Sequence, residues 1–198
     1  MIPEPAMIQE RAPIQTAKSA DLLSRLRDFV RAERGLAAVE FAVILPFMLT
    51  VYLGGIEVGI GVALDRKVAI TTRAVADLAS RYVTIKNADM TGILGATSTI
   101  IQPYAATPLA VTVSQVTVDA NGKATIAWSD SLNGTARTVG SPVTLPGTLA
   151  TPNAWYVWGE VKYTYTPTLG YAVTGSWTFT DQIFMSPRES TSITRINS

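Results

Sequence analysis

Twenty-nine consecutive residues, Leu36 to Leu64 (LAAVEFAVILPFMLTVYLGGIEVGIGVAL), hold only two charges, Glu40 and Glu57. Between those two acids, Phe41 to Ile56 are uncharged throughout. A helix crossing a bilayer needs about 20 predominantly apolar residues, so this run is long enough to span with some tilt. A removable secretory signal has an apolar core of roughly 7–15 residues. This run is longer and starts only at residue 36. A helix buried in a soluble core would shelter it equally, but no other stretch matches it in length or apolarity. Composition agrees with a membrane span: charged residues are 16% and hydrophobic ones 47%, against about 25% charged in an ordinary soluble domain. The flanks set the orientation. Lys18, Arg25, Arg27, Arg31 and Arg34 precede the run, and positive residues before a first span favour the cytoplasm. The N-terminus is therefore expected inside and residues beyond 64 outside.

The rest of the 198-residue chain is one domain's worth of sequence with an appendage. Residues 1–18 carry three prolines without periodicity and read as a disordered tail. Ser19 is placed to cap a helix over 20–34, either on an anionic membrane surface or as a solvated leader. Beyond the span, Leu64, Val68, Thr71, Val75, Leu78 and Tyr82 recur at intervals of three or four. One helix from Leu36 to Tyr82 follows, apolar all round at first and amphipathic later. A second helix over 88–102 is predicted, capped by Asn87 and stopped by Pro103.

From residue 109 the period changes to two. Val111 and Val113, then Val116 and Val118, alternate with a one-residue slip at Ser114-Gln115 that reads as a bulge. Asn121-Gly122 marks a hairpin turn. Ile126 and Trp128 continue on the returning strand, and residues 129–153 read as a loop. Trp155 to Tyr165 and Trp177 to Ile183 supply two more strands before Pro187. The expected fold class is α+β: a long N-terminal helix, a short second helix and a four-stranded antiparallel sheet over 109–186. One sheet face is expected to lie under the amphipathic part of the helix. The aromatic residues from Trp155 to Trp177 suit either cross-strand packing or, less commonly, a sugar-binding platform.

The chain has no histidine and no cysteine. That excludes disulfides, thiolate or imidazole metal sites, cysteine nucleophiles and Ser-His-Asp triads. Neither GxGxxG nor GxxxxGK[ST] occurs, and Asp119, Asp130, Glu160 and Asp181 lack paired-carboxylate spacing. No cofactor, metal or enzymatic activity is expected. A net charge of +1 gives no basic field for nucleic acid.

Inside the apolar run, Glu40 needs a partner, a proton or a position near enough to an interface to snorkel, because an ionisable group in a bilayer costs about 2.5–3.5 kcal/mol or more. Glu57 lies nearer the far interface and is expected to snorkel. Pro46 removes one helical hydrogen bond and is expected to kink the span. Gly55 and Gly59 form a GxxxG, flanked by Gly54 and Gly61, which permits close helix approach.

The stretch ERGLAAVEFAVILPFML, residues 33–49, resembles the TadE-like family of the tight-adherence pilus, related to type IV pilins and pseudopilins. So does the continuation, with Glu57 soon after Gly54-Gly55 and a helix ending ADLASRY. The tail YTYTPTLGYAV…DQIFMSPRES also resembles the closing strands of such proteins. The resemblance implies a leader, residues 1–35, that a prepilin peptidase cuts between Gly35 and Leu36. Glu40 would then be residue five of the mature chain and would pair with the new N-terminal amine of the same or a neighbouring subunit. It further implies a minor pilin or pseudopilin in the inner membrane, with a span over 36–64 and a periplasmic or extracellular domain over 65–198. Its partners would be other pilins and the assembly platform, and its role pilus initiation, assembly and surface adherence. A membrane-anchored exterior binding or adhesin module outside any pilus is the alternative.

Overall fold

The computed structural model describes residues 33–167 and 175–197. The expected tail over 1–18 and the Ser19-capped helix lie outside the described residues. Two compact units divide at Tyr52 and Leu53. The first, Met1–Tyr52, contains helical residues from Glu33 onward. The second, Leu53–Ser198, holds the rest of that helix and everything after it.

The long helix, α1, is a single element from Glu33 to Ser80 with Pro46 inside it. It stops two residues short of the predicted end. The N–H groups of Arg81 and Tyr82 bond three residues back, to Leu78 and Ala79 carbonyls, and so tighten the last turn. A two-residue strand β1 (Thr84–Ile85) follows, then helix α2 (Asn87–Ile100). The cap of α2 is Lys86 rather than Asn87: the Asp89 carboxylate accepts the Lys86 N–H at 3.0 Å, half of a capping box. The helix ends at Ile100 instead of 102, because the residue before Pro103 is disfavoured in helical conformation.

The sheet has five strands rather than four: β2 (Leu109–Val118), β3 (Ala124–Leu132), β4 (Pro142–Val143), β5 (Trp155–Tyr165) and β6 (Trp177–Met185). Their order is β4-β3-β2-β5-β6 and every pairing is antiparallel. β4 lies within the stretch read as a loop, and two residues are too few to display a period of two. For the same reason the parallel pair of β1 with β7 (Thr194–Arg195) left no pattern.

The slip in β2 has a different origin from the one expected. The register shift falls between Gln115 and Val116, opposite Trp128 and Ile126, so the extra residue is Ala127 on β3. The break in the Val pattern arises because the two pairs serve two cores. Leu109, Val111, Val113, Val157, Val161 and Tyr163 join the cluster containing Leu64, Val68, Val75, Ala76 and Ala79 of α1. Val116, Val118, Ile126, Tyr156 and Trp158 form a second cluster on the opposite face, covered by Val143, Leu145, Leu149 and Ala154. The segment between β3 and β5 is thus a cover for the outer face.

The predicted amphipathic face of α1 meets the sheet: Leu64, Val68, Thr71 and Val75 are buried. The buried Thr71 and Thr72 hydroxyls donate to the Lys67 and Val68 carbonyls at 2.8 and 2.9 Å, so neither is left unpaired. Gly159 permits the close approach. A Cβ there would lie 3.0 Å from the Ala76 Cβ and 3.2 Å from the Thr72 carbonyl oxygen. The chain end is clasped to this unit. The Arg195 guanidinium donates twice to Asp130, at 2.8 and 3.0 Å, and once to Asn87 Oδ1 at 2.8 Å. Its hydrogen bond to Asp130 raises its pKa. The Trp128 indole N–H donates to Gln115 Oε1 at 2.6 Å and to the Ile193 carbonyl at 2.9 Å.

Candidate assembly surface of the long helix

From Leu36 to Met48 the large apolar side chains of α1 are exposed, including Val39, Phe41, Val43, Ile44 and Phe47. The most apolar 18-residue window of the helix is wholly unburied, and by length and composition α1 can cross a membrane. Exposure of this kind is untenable in water and natural in lipid. Gly35 and Leu36, the expected cleavage position, lie inside the helix, and Leu36 is exposed. Glu40 is also exposed and makes no ion pair or side-chain hydrogen bond with any described residue. Pro46 lacks an N–H to donate. The Thr50 hydroxyl, one turn on, donates to the Pro46 carbonyl at 2.8 Å, a local bond that often bends helices.

The glycines part company. A Cβ on Gly54, Gly55 or Gly59 would meet no described residue within 4 Å. On Gly61 it would meet the Trp177 ring at 2.9 Å and the Phe179 ring at 3.6 Å. Gly61 is therefore the socket for the first aromatic residues of β6, while the GxxxG faces open space. At 100° per residue, Gly55 and Gly59 stand on the side of α1 opposite Glu57, Leu64, Val68 and Val75. Val62 and Ile70 extend that outward face and are 50% and 55% exposed.

Glu57 departs from the snorkelling expectation. It is only 7% exposed and accepts a hydrogen bond of 2.7 Å from the Tyr165 hydroxyl, at the end of β5. Burial, and then this bond to Glu57, push the Tyr165 hydroxyl up to about 12. Tyr165 pairs across the sheet with Trp177, their rings 6.3 Å apart. Two contacts, Tyr165 to Glu57 and Trp177 to Gly61, thus fasten the β5–β6 end to successive turns of α1. Sequence reasoning missed both. The usable signal was a small residue in the helix facing an aromatic residue at the start of a strand.

The aromatic residues offer no sugar platform at Trp158. That ring is 6% exposed, stacked on Phe184 at 5.1 Å and covered by the Arg137 guanidinium at 3.8 Å. Arg137 in turn makes two bonds of 2.6 Å to Glu160, which raise its pKa. A shallow groove of about 960 Å³ lies beside them on the outer face, lined by Thr112, Thr164, Thr180 and Lys162 among others. Among the described residues no three of His, Cys, Asp or Glu converge as metal ligands.

None of the curated proteins and none of the solved structures compared with the chain matches it. A family model does match, the one described as TadE-like protein, over residues 35–77. That stretch begins at the glycine of the expected cleavage position and includes Glu40, Pro46, the open glycine pair and most of the sheet-packed face. The match is confined to residues 35–77, nearly the whole of α1, and it is this helix that is similar to the TadE-like model.

Proposed function

We propose that the chain is a minor pilin or pseudopilin of a tight-adherence type pilus, a structural subunit without catalytic activity that serves pilus initiation, assembly and adherence. The observation that carries this reading is the match of α1 to the TadE-like model combined with the bare apolar surface of its first half. Such a helix suits two environments in turn: lipid, and the packed helices of a fibre. In this reading the chain resides in the inner membrane, N-terminus in the cytoplasm and sheet domain outside. A prepilin peptidase cleaves between Gly35 and Leu36. Glu40, unpaired within the described subunit, meets an N-terminal amine on assembly, and Pro46 bends the span. Gly55 and Gly59, with no described residue within 4 Å of where a Cβ would stand, receive a helix of another pilin. The partners are therefore the peptidase, other pilins and the assembly platform.

The test is the N-terminus and mass of the protein from native membranes, beside a Gly35→Ala variant. A new N-terminus at Leu36, lost in the variant, is expected. An intact Met1 in cells with an active prepilin peptidase would make α1 a plain anchor and favour a membrane-anchored binding module instead.

A further inference from the structure

We propose that the β5–β6 end of the sheet rests on the bilayer, with Trp177 and Tyr165 as aromatic anchors at the level where α1 leaves the hydrocarbon. The inference rests on the reading of α1 as a membrane span and adds a second contact to it. Three observations lead there. First, the apolar stretch ahead of Glu57 runs from Leu36 to Ile56, 21 residues of one continuous helix. At 1.5 Å per residue it rises about 31 Å, close to the thickness of a bilayer's hydrocarbon core. The helix therefore exhausts the membrane at about residue 57, short of the residue 64 at which the apolar run itself ends.

Second, the contacts that fasten the sheet to α1 begin at that level. Tyr165 bonds to Glu57, and Trp177 packs on Gly61. Higher on the helix, Gly159 of β5 meets Thr72 and Ala76. β5 therefore descends along α1 from residue 159 to residue 165, and its last residue reaches the point where the span runs out. Third, the chemistry at that point suits an interface. Tyr165 and Trp177 are half-buried aromatic residues with polar tips, and Val58 and Val62, on the same turns of α1, are 57% and 50% exposed. Amphipathic rings of this kind concentrate at the headgroup level of membrane proteins. Trp155, at the other end of β5, lies ten residues away. That is roughly 33 Å of strand and well clear of the bilayer.

The chain's four tryptophans make the test direct. Trp128 and Trp158 are buried and Trp155 is at the far end, so only Trp177 should sense lipid. The full-length chain is reconstituted in phosphatidylcholine vesicles whose acyl chains carry bromine either close to the headgroup or near the methyl ends. Bromine near the headgroup is expected to remove about a quarter of the emission, one tryptophan's share of four, and deep bromine less. The loss should vanish in Trp177→Phe and persist in Trp155→Phe. A Met48→Trp change in the Trp177→Phe background reports on the span alone, with quenching strongest by deep bromine. Quenching of that Met48→Trp variant without any loss that depends on Trp177 would overturn the anchor while leaving the span intact. Absence of quenching in both would overturn the anchor together with the span reading.

Discussion

The two halves of α1 share a backbone conformation yet differ in sequence and surroundings: residues 36–52 hold one charge, Glu40, whereas the later half is amphipathic. Before residue 53 the helix shows its side chains on every side, a surface that suits a non-aqueous solvent. After Glu57 one face is sealed by the sheet, while Val62 and Ile70 remain outside. The later half combines charged positions with a face shaped to receive another element. Gly61, Thr72 and Ala76 are small where a ring or a strand must approach, and Gly55 and Gly59 are small where no described residue does.

The sharpest way to break this comparison is to enlarge one glycine where helix and sheet meet and one on the open face of the helix. Gly159→Leu drives a side chain into Ala76 and the Thr72 carbonyl, and is expected to cost about 3 kcal/mol or more of stability. Gly59→Leu, with no described residue within 4 Å, should leave unfolding within about 1 kcal/mol of wild type while abolishing any assembly that uses the GxxxG. Denaturant unfolding in detergent checks the first pair, and co-purification or cross-linking with neighbouring subunits checks the second. Equal stability losses would mean that both glycines serve the same fold.

Truncations give the next largest effect. Val75→Ala in the sealed half should cost about 2 kcal/mol by leaving a cavity, whereas Val43→Ala, at a residue 72% exposed, should cost almost nothing in detergent. A smaller change tests the fastening at Glu57. Tyr165→Phe removes one donor to a buried carboxylate and is expected to lower stability by about 1 kcal/mol. Glu40→Gln, without a described partner, should not alter unfolding.

The last prediction concerns pH. The Tyr165 hydroxyl is raised from its ordinary 10.0 to about 12, so folding favours its protonated form. The stabilisation is complete below pH 10 and fades as pH climbs through about 12. The unfolding free energy measured across that window should fall more steeply for wild type than for Tyr165→Phe. Parallel curves would show that Tyr165 titrates alike in both states.

Much of this architecture was legible from residue order alone. A run of 29 residues with two charges admits few fates, because an uninterrupted apolar helix has no polar face to show to water. The 3.6-residue period from Leu64 to Tyr82 marked the face that the sheet covers, and Asn121-Gly122 marked the hairpin. There Gly122 adopts φ +82° and the Asp119 carboxylate accepts from the Asn121 and Lys123 N–H groups. The TadE-like signature was likewise local, since it sits in one contiguous helix.

Long-range matters were settled only by the tertiary structure. The broken alternation in β2 does not say that Val113 and Val116 serve different cores. That follows from which elements cover each face. The parallel pairing of Thr84–Ile85 with Thr194–Arg195 joins residues about a hundred positions apart through strands too short to carry a pattern. Glu57 shows the division most clearly. Its place in the apolar run was evident from sequence, but its partner is 108 residues away, and only packing can bring a strand end to a chosen turn of a helix. Local periodicity thus determined the elements, the faces they bury and the fitness of α1 for a membrane. Complementary size and hydrogen bonding between distant residues decided which turn of α1 the sheet grips, and hence which helix face is left open to partners.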